Sequence, residues 1–236
     1  MTSAPAETSA AGGDTASRLR RSAERLFAEH GVDGASLRQI TKEAGQRNVT
    51  AVNYHFGSRD GLLRAVLEHH LAELRIRHRT LVDRYLENPP ASARDRLREL
   101  ADALVMPACA ELECADGGPD FLRIAAEVVN RSDWVVAPGT PISELITHQH
   151  GWGDLVEPLM PGSDDAATGR LHRRFAAMRF VYVELGRRAL QPQPRRDDRL
   201  FASQLTDLVT GLLTAPLSAR TLRLLKSGPE TPERPA

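Results

Sequence analysis

The hydrophobic positions of this chain recur with the spacing of α-helices over almost its whole length. The first stripe consists of Leu19, Ala23, Leu26 and Phe27, at i, i+4, i+7 and i+8, and Gly31 predicts its end. No segment combines the alternation of a strand with hairpin turns at its ends. The pattern therefore predicts an all-α fold.

Two short helices and a long one are predicted after the first stripe. Ser36 begins the second helix with Gln39 three residues later, which is the spacing of a capping box, and Gly45 ends it. A third helix covers about residues 49–55. Ser58 caps a long fourth helix that ends before a pair of prolines.

Four further helices are predicted beyond the proline pair. They cover about residues 92–110, 120–130, 164–190 and 197–214, and a less regular segment rich in Pro and Gly lies at 134–162. This spacing separates a compact head of three helices from a larger helical body.

The two ends of the chain lack large apolar side chains. We expect residues 1–13 and 227–236 to be disordered, because they cannot bury enough apolar surface to offset the entropy of ordering. The predicted boundaries are therefore 14–57 for the head and 58–226 for the body.

The distribution of charge limits the ways in which this chain could bind nucleic acid. The formal net charge of zero argues against a protein that coats nucleic acid through bulk charge, yet residues 36–64 hold five basic and two acidic side chains, a local charge of +3. Most cationic residues are Arg, which suits contacts to phosphate and guanine but is equally typical of a GC-rich genome.

The cysteine content and the hydropathy of the chain predict its cellular compartment. Cys109 and Cys114 are too few for a disulfide scaffold and match no zinc-binding spacing, so we interpret them as reduced thiols. The start of the chain has no secretory signal pattern, and no segment approaches about 18 uninterrupted apolar residues. We expect a cytoplasmic protein with no membrane partner.

The third helix has the composition of a segment that reads DNA. A recognition helix needs outward side chains that are short or can form hydrogen bonds, because it must approach the base edges closely. The residues of this kind are Thr50, Ala51, Asn53 and Tyr54. Arg47 and Asn48 precede the helix, beside amides that suit phosphate. Val49, Val52 and Phe56 are expected to pack inward, and a plain surface helix is the alternative.

The motif around this helix resembles the N-terminal DNA-binding domain of the TetR family of transcriptional regulators. The resemblance rests on Ser36, Ile40 and Ala44-Gly45, followed by Tyr54-His55-Phe56-Gly57-Ser58-Arg59-Asp60-Gly61-Leu62, and it covers roughly residues 17–65. It implies that Ser36, Gln39 and Arg59 contact backbone phosphates. It also implies that Tyr54 and His55 either bind phosphate or pack at the edge of the domain.

This chain departs from the family pattern at several positions. Thr41 stands where Ala is usual, and Gln46-Arg47 replaces Val-Ser. The run from Ala44-Gly45 to His55-Phe56 is also about one residue longer than usual, so we expect a wider turn before the third helix.

The histidines are the remaining candidates for metal binding or catalysis. His148 and His150 stand at i, i+2, which do not share a helix face, and His172 lies further along, so no metal site is predicted. His69-His70 and His78 on the fourth helix are expected on a solvated or domain-facing surface. No catalytic motif or cofactor loop is present, so an enzyme with its chemistry at 134–160 is the weaker of two rival hypotheses, after a DNA-binding regulator without effector.

The resemblance also implies a small-molecule effector and a homodimer in the helical body. Candidates for an effector pocket combine apolar bulk with a few polar groups, and ordinary core packing is the alternative for each one. They are Met106, Phe121, Asn130, Trp134, Trp152, Arg179 and Tyr182. Arg179 and Tyr182, at i, i+3, are expected to present a cation and a phenol on one face.

The last two predicted helices carry apolar faces that suit a four-helix dimer interface, with internal packing as the alternative. The candidate interface residues are Leu171, Phe175, Met178, Leu185, Leu200, Leu205, Leu208 and Leu212. The sequence thus predicts a ligand-responsive regulator, most simply a repressor that binds a palindromic operator. A constitutive DNA-binding regulator without effector and an activator remain alternatives.

Overall fold

The computed structural model describes residues 7–131, 151–161, 167–192 and 197–227, and no strand occurs in those ranges. The predicted all-α class is confirmed. The helices of the described residues are α1 (Glu7–His30), α2 (Leu37–Glu43), α3 (Thr50–Phe56), α4 (Arg59–Glu87), α5 (Ala93–Ala110), α6 (Gly118–Val128), α7 (Trp152–Val156), α8 (Ala167–Ala189), α9 (Asp198–Thr214) and α10 (Ala219–Ser227). Short 3₁₀ helices cover Glu111–Glu113 and Glu157–Leu159.

Helices α1 to α3 form the head, and they enclose a small apolar core with the first turns of α4. Its members are fully buried or nearly so: Leu19, Ala23, Phe27, Ile40, Val52, Leu62 and Leu63. The predicted stripe of α1 supplies three of these side chains. Because α2 and α3 have only seven residues each, tertiary packing rather than intrinsic helix propensity holds them in place.

Two helix boundaries differ from the sequence expectation. Helix α1 begins at Glu7, inside the segment 1–13 that was expected to be disordered. Helix α10 was not predicted at all. It has only nine residues, which is too short to give a clear helical period.

The body is a bundle in which α5 and α6 pack on α4, while α8 and α9 pack on α6 and α5. Helix α6 packs mainly on α8, and α5 packs mainly on α9. Two polar groups inside the bundle are paired: Thr206 donates a hydrogen bond to Asp102 (2.8 Å), and Trp152 Nε1 donates one to the carbonyl of Leu100 (2.7 Å). No helix of the described chain combines the length and apolar character needed to cross a membrane.

The head rests on the body through direct contacts as well as through α4. The backbone N–H of Val32, in the loop after α1, donates to both carboxylate oxygens of Glu127 on α6 (3.0 and 2.9 Å). Arg131 pairs with Asp33 of the same loop at 2.7 Å. We call the contacts between this loop, α1 and α6 the head–body junction. It fixes the orientation of the head relative to the bundle.

Candidate nucleic-acid interface

The start of α2 is fixed by the predicted capping box. The N–H of Gln39 donates to Ser36 Oγ (3.2 Å), and the N–H of Ser36 donates to Gln39 Oε1 (2.9 Å). Both side chains are exposed on the outer surface of the head. Thr41, the departure from the family pattern, is buried, and its hydroxyl donates to the carbonyls of Leu37 and Arg38. A hydroxyl is therefore tolerated at this core position.

The turn between α2 and α3 depends on one glycine and one asparagine. Gly45 adopts φ +72°, a left-handed conformation that costs other residues strain, and the chain reverses there. The side-chain oxygen of Asn48 then accepts hydrogen bonds from the N–H of Thr50 (2.9 Å) and from its hydroxyl (2.8 Å). The Asn48 side chain thus supports the start of α3, whose N-cap is Val49, and the phosphate contact predicted for Asn48 stays a prediction.

Helix α3 divides into an anchoring side and an outward side. Val52 is fully buried and Phe56 packs partly against the core, as predicted, while Val49 is half-buried. Thr50, Asn53 and Tyr54 are exposed, and Ala51 and His55 are half-buried. We call Thr50, Asn53 and Tyr54 the outward face of α3.

Tyr54 is the most conspicuous residue of this face, because 83% of its surface is exposed. Its ring meets the His55 ring edge-on, with centroids 4.9 Å apart. A large aromatic residue in full contact with water gains little in the isolated protein, so its position suits a surface that meets a partner.

Basic side chains surround the outward face. Arg38, Lys42 and Arg47 are all exposed around the α2–α3 turn. The nearby acidic Glu43 is paired with Arg25 of α1, which neutralises it. The surface therefore carries a local excess of positive charge next to groups that can form hydrogen bonds.

Arg59 occupies a different position from the one expected of a phosphate-binding residue. Ser58 caps α4 as predicted, accepting from the N–H of Gly61 (3.0 Å). The guanidinium of Arg59 turns inward, donates to the carbonyl of Val32, and lies 5.3 Å from the centroid of the Phe27 ring. Its observed contacts brace α4 against α1.

The residues predicted for an effector pocket do not line one cavity in the described part of the chain. Phe121, Trp152 and Tyr182 are buried core residues, whereas Met106 and Asn130 are exposed. Trp134, together with His148 and His150, lies outside the described residues.

Arg179 and Tyr182 do not present a shared face. Arg179 is exposed, with its guanidinium 5.9 Å from the Phe175 ring centroid, whereas Tyr182 is 1% exposed. Burial raises the pKa of the Tyr182 phenol, since the phenolate would lose its hydration. The expected pairing of cation and phenol was wrong: residues at i, i+3 are neighbours on a helix, but here the boundary between core and solvent runs between the two side chains.

The candidate dimer residues fall into two groups. Met178, Leu185 and Leu205 are buried in the bundle, and Phe175 is half-buried against it. Leu200, Leu208 and Leu212 point outward from α9, with exposed fractions of 52%, 56% and 37%. Helix α8 includes Leu171, whose side chain is outside the described set. Only the second group forms an apolar outer face.

A buried polar cluster on α4 was not predicted from the sequence. His69 is exposed, as expected, but His70 and His78 are each only 4% exposed. His70 Nε2 lies 2.5 Å from Glu24 Oε1, and His70 Nδ1 lies 2.7 Å from Glu111 Oε2. The solvated alternative was wrong for His70 and His78, and His70 instead faces groups of the head and the body, as the domain-facing alternative had it, because α1, α5 and α6 enclose α4 on several sides.

Burial and hydrogen bonding act on these two histidines differently. Burial alone would lower the pKa of His70, but its hydrogen bonds with Glu111 and Glu24 outweigh that effect and raise the pKa to about 9. At His78, burial lowers the pKa to about 4. His70 is therefore held as a cation between two carboxylates, and His78 is neutral near pH 7.

Comparison with known proteins supports this interpretation of the head. The family described as bacterial regulatory proteins, tetR family, matches residues 19–66. In a comparison with curated protein sequences, none matches this chain. The matched segment contains the first stripe, the capping box, α3 and the start of α4.

Solved structures resemble the chain over most of its length. A TetR family regulator, PfmR from Thermus thermophilus, has a TM-score of 0.50 at 16% identity and covers 82% of this chain and 97% of its own. A bacterial regulatory protein in the tetR family from Rhodococcus RHA1 has a TM-score of 0.52 at 16% identity, with coverage of 85% and 97%.

The regulator FadR from Bacillus subtilis, solved in complex with stearoyl-CoA, has a TM-score of 0.50 at 12% identity, with coverage of 85% and 98%. At these identities the likeness concerns the fold alone. Residues 19–66 match the tetR family of bacterial regulatory proteins, and the described chain has the all-α fold of solved TetR-family transcriptional regulators.

Proposed function

We propose that this protein is a ligand-responsive transcriptional repressor that binds a palindromic operator as a homodimer and is released by a small-molecule effector. The observation that carries the DNA-binding part is the division of α3. Val52 anchors the helix while Thr50, Asn53 and Tyr54 are exposed. This outward face has the size and the hydrogen-bonding groups that the major groove requires.

Each outward residue has a chemical reason for its proposed role. The amide of Asn53 can bind adenine through two hydrogen bonds, and the Thr50 methyl can meet a thymine methyl. Tyr54, Ser36, Gln39 and His55 are proposed to contact phosphates, which would fix the register of the head on the duplex. Arg47 adds a charge-assisted phosphate contact before α3.

Dimerisation is proposed through the outer face of α9. Leu200, Leu208 and Leu212 recur on one side of this helix, so a second copy related by a two-fold axis would cover them with the same residues. A two-fold dimer would present two α3 helices to successive major grooves, about 34–36 Å apart or a multiple of that distance. Such an arrangement demands an inverted-repeat operator.

The DNA-reading role of α3 is tested by comparing two substitutions. Asn53→Ala is expected to relax base choice at one position and to cost roughly 1–3 kcal/mol on selected operator DNA. Arg47→Ala, on the adjacent turn, is expected to weaken binding to all sequences alike and to lower the salt slope by about one. Operators are first selected from random duplexes, and affinities are then measured over a range of salt concentrations.

Equal losses of Asn53→Ala on selected and on random DNA would remove the base-reading role. Failure of the wild-type protein to enrich any inverted repeat at low salt would remove the proposed DNA-binding function itself. Circular dichroism of both variants serves as the folding control, because both positions are exposed.

The effector part of the proposal draws on the body and on one neighbour of similar fold. FadR from Bacillus subtilis was solved with stearoyl-CoA, which is an observation on that protein. An effector can release DNA only if it binds the non-DNA conformation more tightly, and typical couplings are about 1–3 kcal/mol. Metabolites made by the products of genes beside the selected operator are the ligands to titrate. If none of them changes DNA affinity, the protein is a constitutive regulator.

A further inference from the structure

Three side chains with metal-binding atoms converge where the head meets the body. The ligand atoms of His70 on α4, of Glu111 in the 3₁₀ helix after α5, and of Cys114 just beyond it all lie within 4.8 Å of one another. His70 and Glu111 are buried, whereas Cys114 is half-buried. We call these three residues the junction cluster.

From this geometry we propose that the junction cluster binds a divalent transition-metal ion of the zinc class. An imidazole nitrogen, a carboxylate oxygen and a thiolate sulfur are all ligands that Zn²⁺ takes, usually in tetrahedral coordination. A thiolate in the set favours zinc-class ions over Mg²⁺ or Ca²⁺, which prefer oxygen ligands only. Three protein ligands leave a fourth position for water.

The surroundings of His70 match those of a metal-bound histidine. Glu111 Oε2 is 2.7 Å from Nδ1, so Nδ1 faces the other members of the cluster, while Nε2 faces Glu24 Oε1 at 2.5 Å. A metal-ligating histidine usually donates its second ring N–H to a carboxylate, which fixes the ring and strengthens the ligand. Glu24 is held in turn by Arg20 at 3.1 Å.

Access to the cluster is provided from the surface. A cleft of about 500 Å³ is lined by Leu112, Cys114, Gly117 and Asp120, among others. Gly117 is needed for this arrangement, since a Cβ there would lie 2.6 Å from Glu24 Oε1. The sulfur of Cys114 is therefore reachable from solvent on the side where the cluster is open.

Metal binding requires a small local movement and a balanced exchange of protons. Two ligands on one tetrahedral zinc ion stand roughly 3.3 Å apart, given bond lengths of about 2.0–2.1 Å, so His70 Nδ1 and Glu111 must separate slightly from their 2.7 Å contact. The ion replaces the Nδ1 proton of the imidazolium and the thiol proton of Cys114, so the charge of the cluster is preserved.

The junction cluster lies between the head and the body, so a bound ion would connect the two. Glu24 belongs to α1 of the head, whereas Glu111 and Cys114 belong to the body, and His70 lies between them on α4. An ion bound by the cluster would therefore be linked to the head through the hydrogen bond between Glu24 and His70. This consequence for DNA binding rests on the proposed function, but the binding of the ion does not.

The test uses purified full-length protein without DNA and Co²⁺ as a spectroscopic probe, followed by displacement with Zn²⁺. One Co²⁺ per chain with a thiolate-to-cobalt charge-transfer band is expected. Cys114→Ala should abolish the band and weaken Zn²⁺ binding by more than about 100-fold, whereas Cys109→Ala should leave both unchanged. Cys109 is the matched control, because it is the other free cysteine and lies outside the cluster.

Two further measurements separate a ligand set from a structural effect. Glu24→Gln retains a hydrogen-bond acceptor and is expected to weaken Zn²⁺ binding by about 10–100-fold without removing the cobalt band. In the wild-type protein, Zn²⁺ should slow alkylation of Cys114 but not of Cys109, as read by peptide mass spectrometry.

The proposal is overturned if the wild-type protein gives no charge-transfer band, or if both cysteine variants change the band equally. It is also overturned if Zn²⁺ leaves the alkylation of Cys114 unaffected. None of these measurements includes DNA, so their failure is distinguishable from failure of the proposed regulatory function.

Discussion

Some side chains of the head are exposed to a possible partner, whereas others hold its helices together. Arg59 belongs to the second kind. The resemblance to the TetR family implied a phosphate contact for Arg59 at the start of α4. Its guanidinium instead donates to the Val32 carbonyl and lies over the Phe27 ring. A charged donor to a partly buried carbonyl contributes more to stability than an exposed ion pair does.

We therefore expect Arg59→Ala to lower the free energy of unfolding by about 1–3 kcal/mol, from the lost hydrogen bond and the lost cation–π contact. Arg64→Ala, on the same helix but exposed, should change it by less than about 0.5 kcal/mol. Urea denaturation followed by circular dichroism gives both values. Equal midpoints for the two variants would mean that the internal contacts of Arg59 contribute nothing.

At the scale of the helices, the sequence correctly predicted the features that depend only on residues close together in the chain. Ser36 and Ser58 cap helices at the predicted positions, and Ser92 caps α5 in the same way, because a capping hydroxyl acts on amides two or three residues away. The anchoring of α3 by Val52 followed from the same short-range periodicity.

Long-range partners could not be predicted in this way. His70 and Glu111 are 41 residues apart, and nothing in either local segment indicates the other. His70 and His78 lie on the same face of α4 as its buried leucines, so the helical period could have indicated their burial, but it could not name their partners. The same limit applies to Arg179 and Tyr182, whose spacing was known but whose depth was not.

The outer face of α9 allows a test of the proposed dimer. We expect Leu208→Glu to convert the proposed dimer to monomers, because each protomer would place an unpaired carboxylate in an apolar interface instead of burying a leucine worth about 1.5–3 kcal/mol. Sedimentation equilibrium measures the mass. Ile76→Glu, at a residue 62% exposed on α4, is the matched control and should retain the wild-type mass. A dimeric Leu208→Glu protein would exclude this face as the interface.

For the whole molecule, the decisive feature is the way the head is fastened to the body. Besides the continuous helix α4, Glu127 accepts from the Val32 N–H, Asp33 pairs with Arg131, and Glu24 holds His70. Any change of head orientation must break or re-form at least one of these contacts. A ligand in the body can therefore influence the head without touching it.

The contribution of one such contact can be measured directly. Glu127→Ala leaves the buried Val32 N–H without its acceptor, which is expected to cost about 1–3 kcal/mol. Hydrogen exchange at the Val32 amide should become faster, whereas Glu113→Ala, which removes an exposed carboxylate nearby, should leave it unchanged. Unaltered exchange in Glu127→Ala would mean that the loop after α1 is held in place by other contacts.

The two-sided construction of α3 has a consequence for how such proteins diversify. Val52 and Phe56, which pack α3 against the core, are different residues from the exposed Asn53. Under the proposed function, an exchange at Asn53 would therefore change the recognised base while the packing of α3 stays the same. The proposed operator specificity could then change without any change to the core of the head.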